Sequence, residues 1–291
     1  LGRRGHEVTL ADSSRSFGGR LTFEKTLPGL SAWYRVVEYR LGRLSEMGNV
    51  SLYPESVLGV DEIIDLAPER VVLATGARWT NMLYSSLEIP VGRLDHPDVF
   101  TPDDIAAGRL PQGPTLVFDF DNYYMGGVLT EFLAGQGIPV SYITPAGQAS
   151  AWTIMTNELP LVHRALARRK VPVTTLHFLK SFDGETATLA HLFTGEETRI
   201  ACRSVLIVGL RLPRNELFEA LTERTDALAA AGIQSVDRIG DTLAPGAIAH
   251  AVHSGHKLAR EIGTKIRWQP YRRDTPIVDA VTDFDMRTAA E

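Results

Sequence analysis

Apolar and polar positions along the chain alternate between two rhythms, and each rhythm predicts its own kind of element. Val8 and Leu10 alternate with polar neighbours into a short strand ending at Asp12, after a helix stop at Gly5. Trp33, Val36, Val37, Leu41 and Leu44 recur at helical spacing and predict a helix over 31–47. Val71–Val72–Leu73–Ala74 is an unbroken apolar run closed by Thr75–Gly76, the pattern of a strand covered on both faces. The proline-rich stretch 80–114 reads as connection. Thr115–Phe118 then predicts a strand, 126–136 a helix stopped by Gly137, and Val140–Ile143 another strand. Residues 158–170 predict an amphipathic helix with Arg164, Arg168, Arg169 and Lys170. Residues 172–200 predict a β-meander with turns at Asp183–Gly184 and Thr194–Gly195. A buried strand over Val205–Gly209, a helix over 214–231 and a last helix over about 246–262 complete the series.

The series repeats once. Gly5-His-Glu-Val matches Gly137-Ile-Pro-Val, and the strand closed by Gly76 matches the one closed by Gly209. Two landmarks at nearly one spacing predict two copies of an α/β unit, although glycine before a strand is common enough to arise by chance. The expected architecture is two dinucleotide-binding, Rossmann-like domains, the second inserted in the first. The outer one is 1–110 plus 210–291 and the inserted one is 111–209. The second copy has a strand, a turn and a helix before Gly137, whereas the first copy starts at the end of the matching helix. Its first strand and Gly-rich phosphate turn are therefore expected upstream of Leu1.

Composition narrows the field. The chain has 291 residues, enough for two domains, and 44% of them are hydrophobic, enough for a core. A net charge of −5 gives no basic footprint for nucleic acid. No apolar run reaches the ~20 residues that span a bilayer. The lone cysteine, Cys202, forms no disulfide framework, zinc ribbon or iron–sulfur ligand set within this stretch, reads as a small strand residue, and fits a reducing cytoplasm.

Four positions carry binding chemistry. Asp12 ends the second strand of the first unit, where a carboxylate can accept hydrogen bonds from an adenosine ribose; an acid after a strand is also an ordinary turn residue. Phe17–Gly18–Gly19–Arg20–Leu21 offers close backbone approach and a guanidinium for phosphate, or simply a Gly-rich turn. Thr75–Gly76 offers a second close approach. Gly240–Asp241 puts a carboxylate before a helix whose N-terminus can face phosphate, or an N-capping Asp. In the second copy the corresponding turn, Asp119 to Gly127, holds Asp119, Asp121, Tyr123 and Tyr124. Like charges about 4 Å apart repel by ~4 kcal/mol at an effective dielectric of 20. The second unit is therefore expected not to bind NAD(P)H. His250, His253 and His256 sweep too much of their helix to converge on a metal and read as structural. No acid–base pair or nucleophile stands out, so no residue is assigned a catalytic role.

Set together, Asp12, Phe17–Gly18–Gly19–Arg20–Leu21, Leu27–Pro28–Gly29–Leu30 with Trp33, Ala74–Thr75–Gly76–Ala77–Arg78–Trp79, Asp121–Asn122–Tyr123–Tyr124–Met125–Gly126–Gly127 and Ile239–Gly240–Asp241 resemble the trimethylamine, histamine and dimethylglycine dehydrogenase family. So does Gly255–His256–Lys257–Leu258–Ala259–Arg260–Glu261, and the likeness runs to about residue 275. The resemblance implies the two C-terminal nucleotide-binding domains of a flavin-dependent oxidoreductase. Its N-terminal barrel would hold FMN, a 4Fe-4S cluster and a small amine substrate. It implies ADP or FAD against Asp12, Gly18, Gly19, Arg20, Leu21, Thr75, Gly76, Gly240 and Asp241. It also implies an electron-transferring flavoprotein or similar acceptor as partner, and a homo-oligomer when intact. An amine dehydrogenase or N-demethylase is the expected function. The alternatives are an NAD(P)H-dependent enoate or dienoyl-CoA-type reductase, and a non-catalytic ADP-binding docking module.

Overall fold

In the computed structural model, which describes residues 1–84 and 89–264, the run Thr115–Asp119 is the middle strand of a five-stranded parallel sheet. The order across it is Val173–Thr174, Val140–Ile143, Thr115–Asp119, Ser204–Val208, Val99–Phe100. Period-two alternation sends Leu116, Phe118, Val205 and Ile207 to one face and Val117, Leu206 and Val208 to the other. The first face packs on a three-stranded antiparallel sheet, His177–Phe182, Thr186–His191 and Glu197–Ala201, through Leu179, Phe182, Ala187 and Leu189. The second is covered by the helix Tyr124–Gly135, through Met125, Val128, Leu129 and Leu133, and by Leu27 and Leu30. Full burial of one such aliphatic side chain is worth roughly 1.5–3 kcal/mol, so both faces are needed. Cys202 lies in the first core, and burial pushes its thiol up to about 11.

The remaining parallel strands form two ribbons. Val8–Ala11 pairs with Val50–Tyr53, and Arg70–Leu73 pairs with Ser235–Arg238. The second ribbon is packed by Ile63, Leu221, Leu228 and Ile233. Ribbons and sheet share an order. Val8–Ala11 follows Gly5 as Val140–Ile143 follows Gly137, and both glycines take left-handed backbone, with φ of 84° and 80°. Each of these strands pairs on one side with the next parallel strand in the chain. The five-stranded sheet has Thr115–Asp119 between its two outer pairs; among the described residues the ribbons have no strand in that position.

Several elements depart from the pattern reading. The stretch 80–114 is structured: Met82–Tyr84 pairs with Pro90–Arg93, Val99–Phe100 joins the large sheet, and Pro102–Ala106 is a helix. Two of its prolines begin elements instead, Pro90 a strand and Pro102 a helix. Pro102 is the first helical residue, where its missing N–H costs nothing, and Asp104 caps back onto the Thr101 amide at 2.8 Å. The short strand Val50–Tyr53 and the helix Val60–Leu66 are absent from the pattern reading. The helix over 31–47 starts as a 3₁₀ turn, Ser31–Tyr34, before Arg35–Ser45. The helix over 214–231 breaks into Glu216–Thr222 and Thr225–Ala230. The tail assigned to the outer domain beyond residue 264 lies outside the described residues.

Candidate functional site

Asp12 is set by backbone on both sides. Its amide donates to Tyr53 O at 3.0 Å and its carbonyl accepts from Ser56 N at 2.9 Å. One carboxylate oxygen, Oδ1, accepts the Ser14 amide at 2.8 Å. Oδ2 has no partner among the described residues, which leaves the acceptor that a ribose hydroxyl needs.

Gly18 and Gly19 both take left-handed backbone, φ 124° and 53°. A Cβ at Gly18 would also stand 3.1 Å from Val37 Cγ1. Their turn leads into the short helix Leu21–Glu24, and Leu21 N donates to Gly18 O at 3.2 Å.

The parallel pairing of 70–73 with 235–238 places Thr75–Gly76 beside Gly240–Asp241. The stitch between them is Thr242, fully buried. Its hydroxyl accepts the Gly76 amide at 2.7 Å and lies 3.2 Å from Thr75 Oγ1. Gly76 and Gly240 have φ of 81° and 61°, and the Gly240 amide donates to Ser254 Oγ at 2.8 Å. The helix Ile248–Glu261 follows. The Gly246 amide is used by Asp241 Oδ1 at 3.1 Å and the Ala247 amide by His250 Nδ1 at 3.1 Å. Ile248 and Ala249 have no backbone acceptor among the described residues, as the opening amides of a helix do not. Two free amides at the positive end of a fourteen-residue helix suit a phosphate.

Arg20 turns inward. Its Nε lies 3.3 Å from Glu24 Oε1, its Nη1 lies 3.6 Å from Asp241 Oδ2, and its Nη2 donates to Gly246 O at 2.9 Å. Burial lowers its affinity for the proton, but Tyr124, Glu24, Asp241 and Asp121 outweigh that, so it remains a cation. Glu24, buried at 4% exposure, also accepts from Tyr124 Oη at 3.0 Å; burial pushes its carboxyl above the usual range and Arg20 draws it back. The structure thus joins Gly18–Leu21, Thr75–Gly76 and Gly240–Asp241 into one cluster. Asp12 stands on the first ribbon and, among the described residues, shares no hydrogen bond or ion pair with this cluster. Sequence reasoning missed Thr242, Glu24 and Arg211, and it placed Tyr124 only in the turn of the second unit. Arg211 Nη1 donates to Asp241 Oδ2 at 3.0 Å.

The matching turn of the other sheet is filled from within. Asp119 has no exposure. It accepts from Asn122 N at 3.0 Å and from Tyr142 Oη, which itself accepts the Ser150 amide at 2.8 Å. A Cβ on Gly126 would fall 2.3 Å from Asp119 Cγ, so the first turn of the helix Tyr124–Gly135 rests on that carboxyl. Burial, then the charge of Asp121, pushes Asp119 up to about 8; burial pushes Asp121 up to about 6, against the pull of Arg20.

Comparison with known proteins bears on this arrangement. No family model matches the chain. It is 28% identical over 305 residues to dimethylamine dehydrogenase of Hyphomicrobium, covering 94% of the chain and 41% of the relative. It is 26% identical over 239 residues to N,N-dimethylglycine/sarcosine dehydrogenase of Chromohalobacter salexigens, covering 76% of the chain and 32% of the relative. The structure of histamine dehydrogenase from Rhizobium superposes with a TM-score of 0.88 at 36% identity, over 92% of this chain and 42% of that one. The chain is homologous to the dimethylamine, histamine and dimethylglycine dehydrogenases. It spans about a third to two fifths of the length of these amine dehydrogenases. A thioredoxin reductase of Thermoplasma acidophilum superposes at a TM-score of 0.53 with 12% identity, a likeness of fold alone. The amine-dehydrogenase homologue therefore has a mixed α/β fold with parallel sheets of the FAD/NAD(P)-binding reductase kind. Among its described residues no helix is long and apolar enough to cross a membrane.

Proposed function

We propose that this chain is the nucleotide-binding part of a flavin-dependent oxidoreductase that oxidises N-methylated amines or amino acids. Its nucleotide, ADP or FAD, would lie between Asp12 and the amides of Ile248 and Ala249. Residues 1–110 with 210–291 form the outer unit, and residues 111–209 the inserted one, to whose sheet the edge strand Val99–Phe100 is lent. FMN and a 4Fe-4S cluster would belong, with the amine substrate, outside the residues of this chain, and FMN would supply the oxidising chemistry there. Electrons pass on to an electron-transferring flavoprotein or similar acceptor. The residues of this chain bind and orient; none is assigned to the chemical step.

The observation that carries the reading is the convergence of Gly76, Gly240 and the open N-terminus of the helix Ile248–Glu261, in a chain whose relatives are named for oxidising amines. The cavity between Arg20, Trp79, Tyr124 and Arg211, beside Asp121, is about 20 Å³, room for one water and none for a fused ring, which favours ADP over FAD. Asp119 supports the view that the inserted unit holds no NAD(P)H, because its carboxyl occupies the turn where a pyrophosphate would need backbone amides. Extraction of the intact protein followed by chromatography is expected to release ADP, about one per chain, with FMN. Release of FAD would move the outer unit to a redox role, and release of no adenine nucleotide would sink the site.

A further inference from the structure

Asp241 and Gly246 are gripped by two guanidinium groups from distant parts of the chain. Arg211 Nη1 donates to Asp241 Oδ2 at 3.0 Å and its Nη2 donates to Gly246 O at 3.2 Å. Arg20 reaches the same carbonyl at 2.9 Å and the same carboxylate oxygen at 3.6 Å. The other carboxylate oxygen, Oδ1, accepts the Gly246 amide at 3.1 Å, closing the segment 241–246 on itself. The side chains of Arg211 and Asp241 are each only 14% exposed. Arg211 stands on Arg211–Pro213, which pairs with Ala77–Trp79, and its guanidinium lies 5.3 Å above the Trp79 ring. Its planar fork is thereby fixed by the strand, the indole and two acceptors at once.

The segment so held has one visible consequence. It delivers the chain to Ala247 and the free amides of Ile248 and Ala249. We propose that Arg211 is a positioning residue for the diphosphate end of the nucleotide site. Its two ends lock Asp241 to Gly246 and so aim the first amides of the helix Ile248–Glu261, while Arg211 itself touches no nucleotide. Arg20 shares the grip from the Gly18–Gly19 turn, so the loops on either side of the site are braced against one ion-pair cluster. This proposal rests on the reading of that region as a nucleotide site.

The test uses the intact protein stripped of nucleotide, with calorimetric titration of ADP and of adenosine. Arg211→Met is expected to weaken ADP roughly tenfold and to leave adenosine within about twofold, because only the phosphate end loses its aim. Arg211→Lys keeps the charge without the fork and is expected to recover little of the loss. Arg211→Met with Asp241→Asn removes both buried charges, which guards against misfolding. It is expected to cost no more than Arg211→Met alone, as partners in one network do. Asp12→Ala is the contrast and is expected to weaken ADP and adenosine alike. ADP binding by Arg211→Met within twofold of wild type would overturn the proposal. So would full recovery by Arg211→Lys, or an equal loss of adenosine. Wild-type protein that binds neither ADP nor adenosine would overturn the site reading and this proposal with it.

Discussion

Gly18 shows how much a single position decides. Its φ of 124° is strained for any L side chain, and a Cβ there would press on Val37 at 3.1 Å. Gly18→Ala is expected to lower stability by roughly 1–3 kcal/mol, read as a fall in the urea midpoint at unchanged slope. Gly19 has the same handedness but open space around its Cβ, so Gly19→Ala is expected to cost less, about 1 kcal/mol in the same assay. Asp12 carries a different burden. With Oδ1 committed to Ser14, only Oδ2 remains for the proposed ribose contact. Asp12→Ala is expected to weaken nucleotide binding by roughly 10- to 100-fold in a titration, the worth of one or two charged hydrogen bonds. Glycine pairs and a strand-end carboxylate are legible in the sequence because the backbone requires them locally. Thr242 and Arg211 are not, because their partners stand some 166 and 30 residues away and only the folded ribbons bring them together.

At the scale of elements, the turn Asp119–Tyr123 ahead of the helix Tyr124–Gly135 is closed by its own buried acid. Buried acids hold their protons, and Asp119, pushed up to about 8, stays neutral in the folded state where the unfolded chain ionises near ~3.9. The folded state then binds more protons than the unfolded one between those values, so stability falls as pH rises through that window. Asp121, raised to about 6, acts in the same direction over part of it, while Arg20 opposes. Asp119→Asn removes the largest of these contributions. The stability lost between pH 5 and pH 8 is expected to shrink by on the order of 2 kcal/mol in the variant, measured by urea unfolding at each pH. An unchanged pH dependence would mean that Asp119 is ionised in the fold. The acidic, tyrosine-bearing turn was legible because it contradicts the glycines that such a turn requires. The burial of Asp119 on Gly126 and its bond to Tyr142 were not, since Tyr142 sits on the neighbouring strand. The stretch 80–114 was misread for a related reason. Proline marks the start of an element as readily as its absence, and the acceptor that settled the matter at Pro102 was the side chain of Asp104.

For the whole molecule, the two strand systems share an order but have opposite sites. The ribbons end in left-handed glycines, a free carboxylate oxygen and a helix with open amides. The five-stranded sheet ends in a turn closed by its own acid. A reductase drawing electrons from NADPH needs the second site open, whereas an enzyme drawing them from an amine does not. That asymmetry, with homology to amine dehydrogenases over most of the chain, supports the proposed flow of electrons from an amine over flow from NADPH. The intact protein is therefore expected to reduce a dye acceptor when supplied with an N-methylated amine or amino acid. Added NADPH is expected to reduce the flavin at a rate at least 100-fold lower, a gap of roughly 3 kcal/mol in barrier. Stopped-flow bleaching of the flavin absorbance with each donor measures both rates on one sample. Faster bleaching by NADPH than by every amine tried would reverse the assignment. It would also require the Asp119 turn to open, which the Asp119→Asn variant would then report as a change in the NADPH rate.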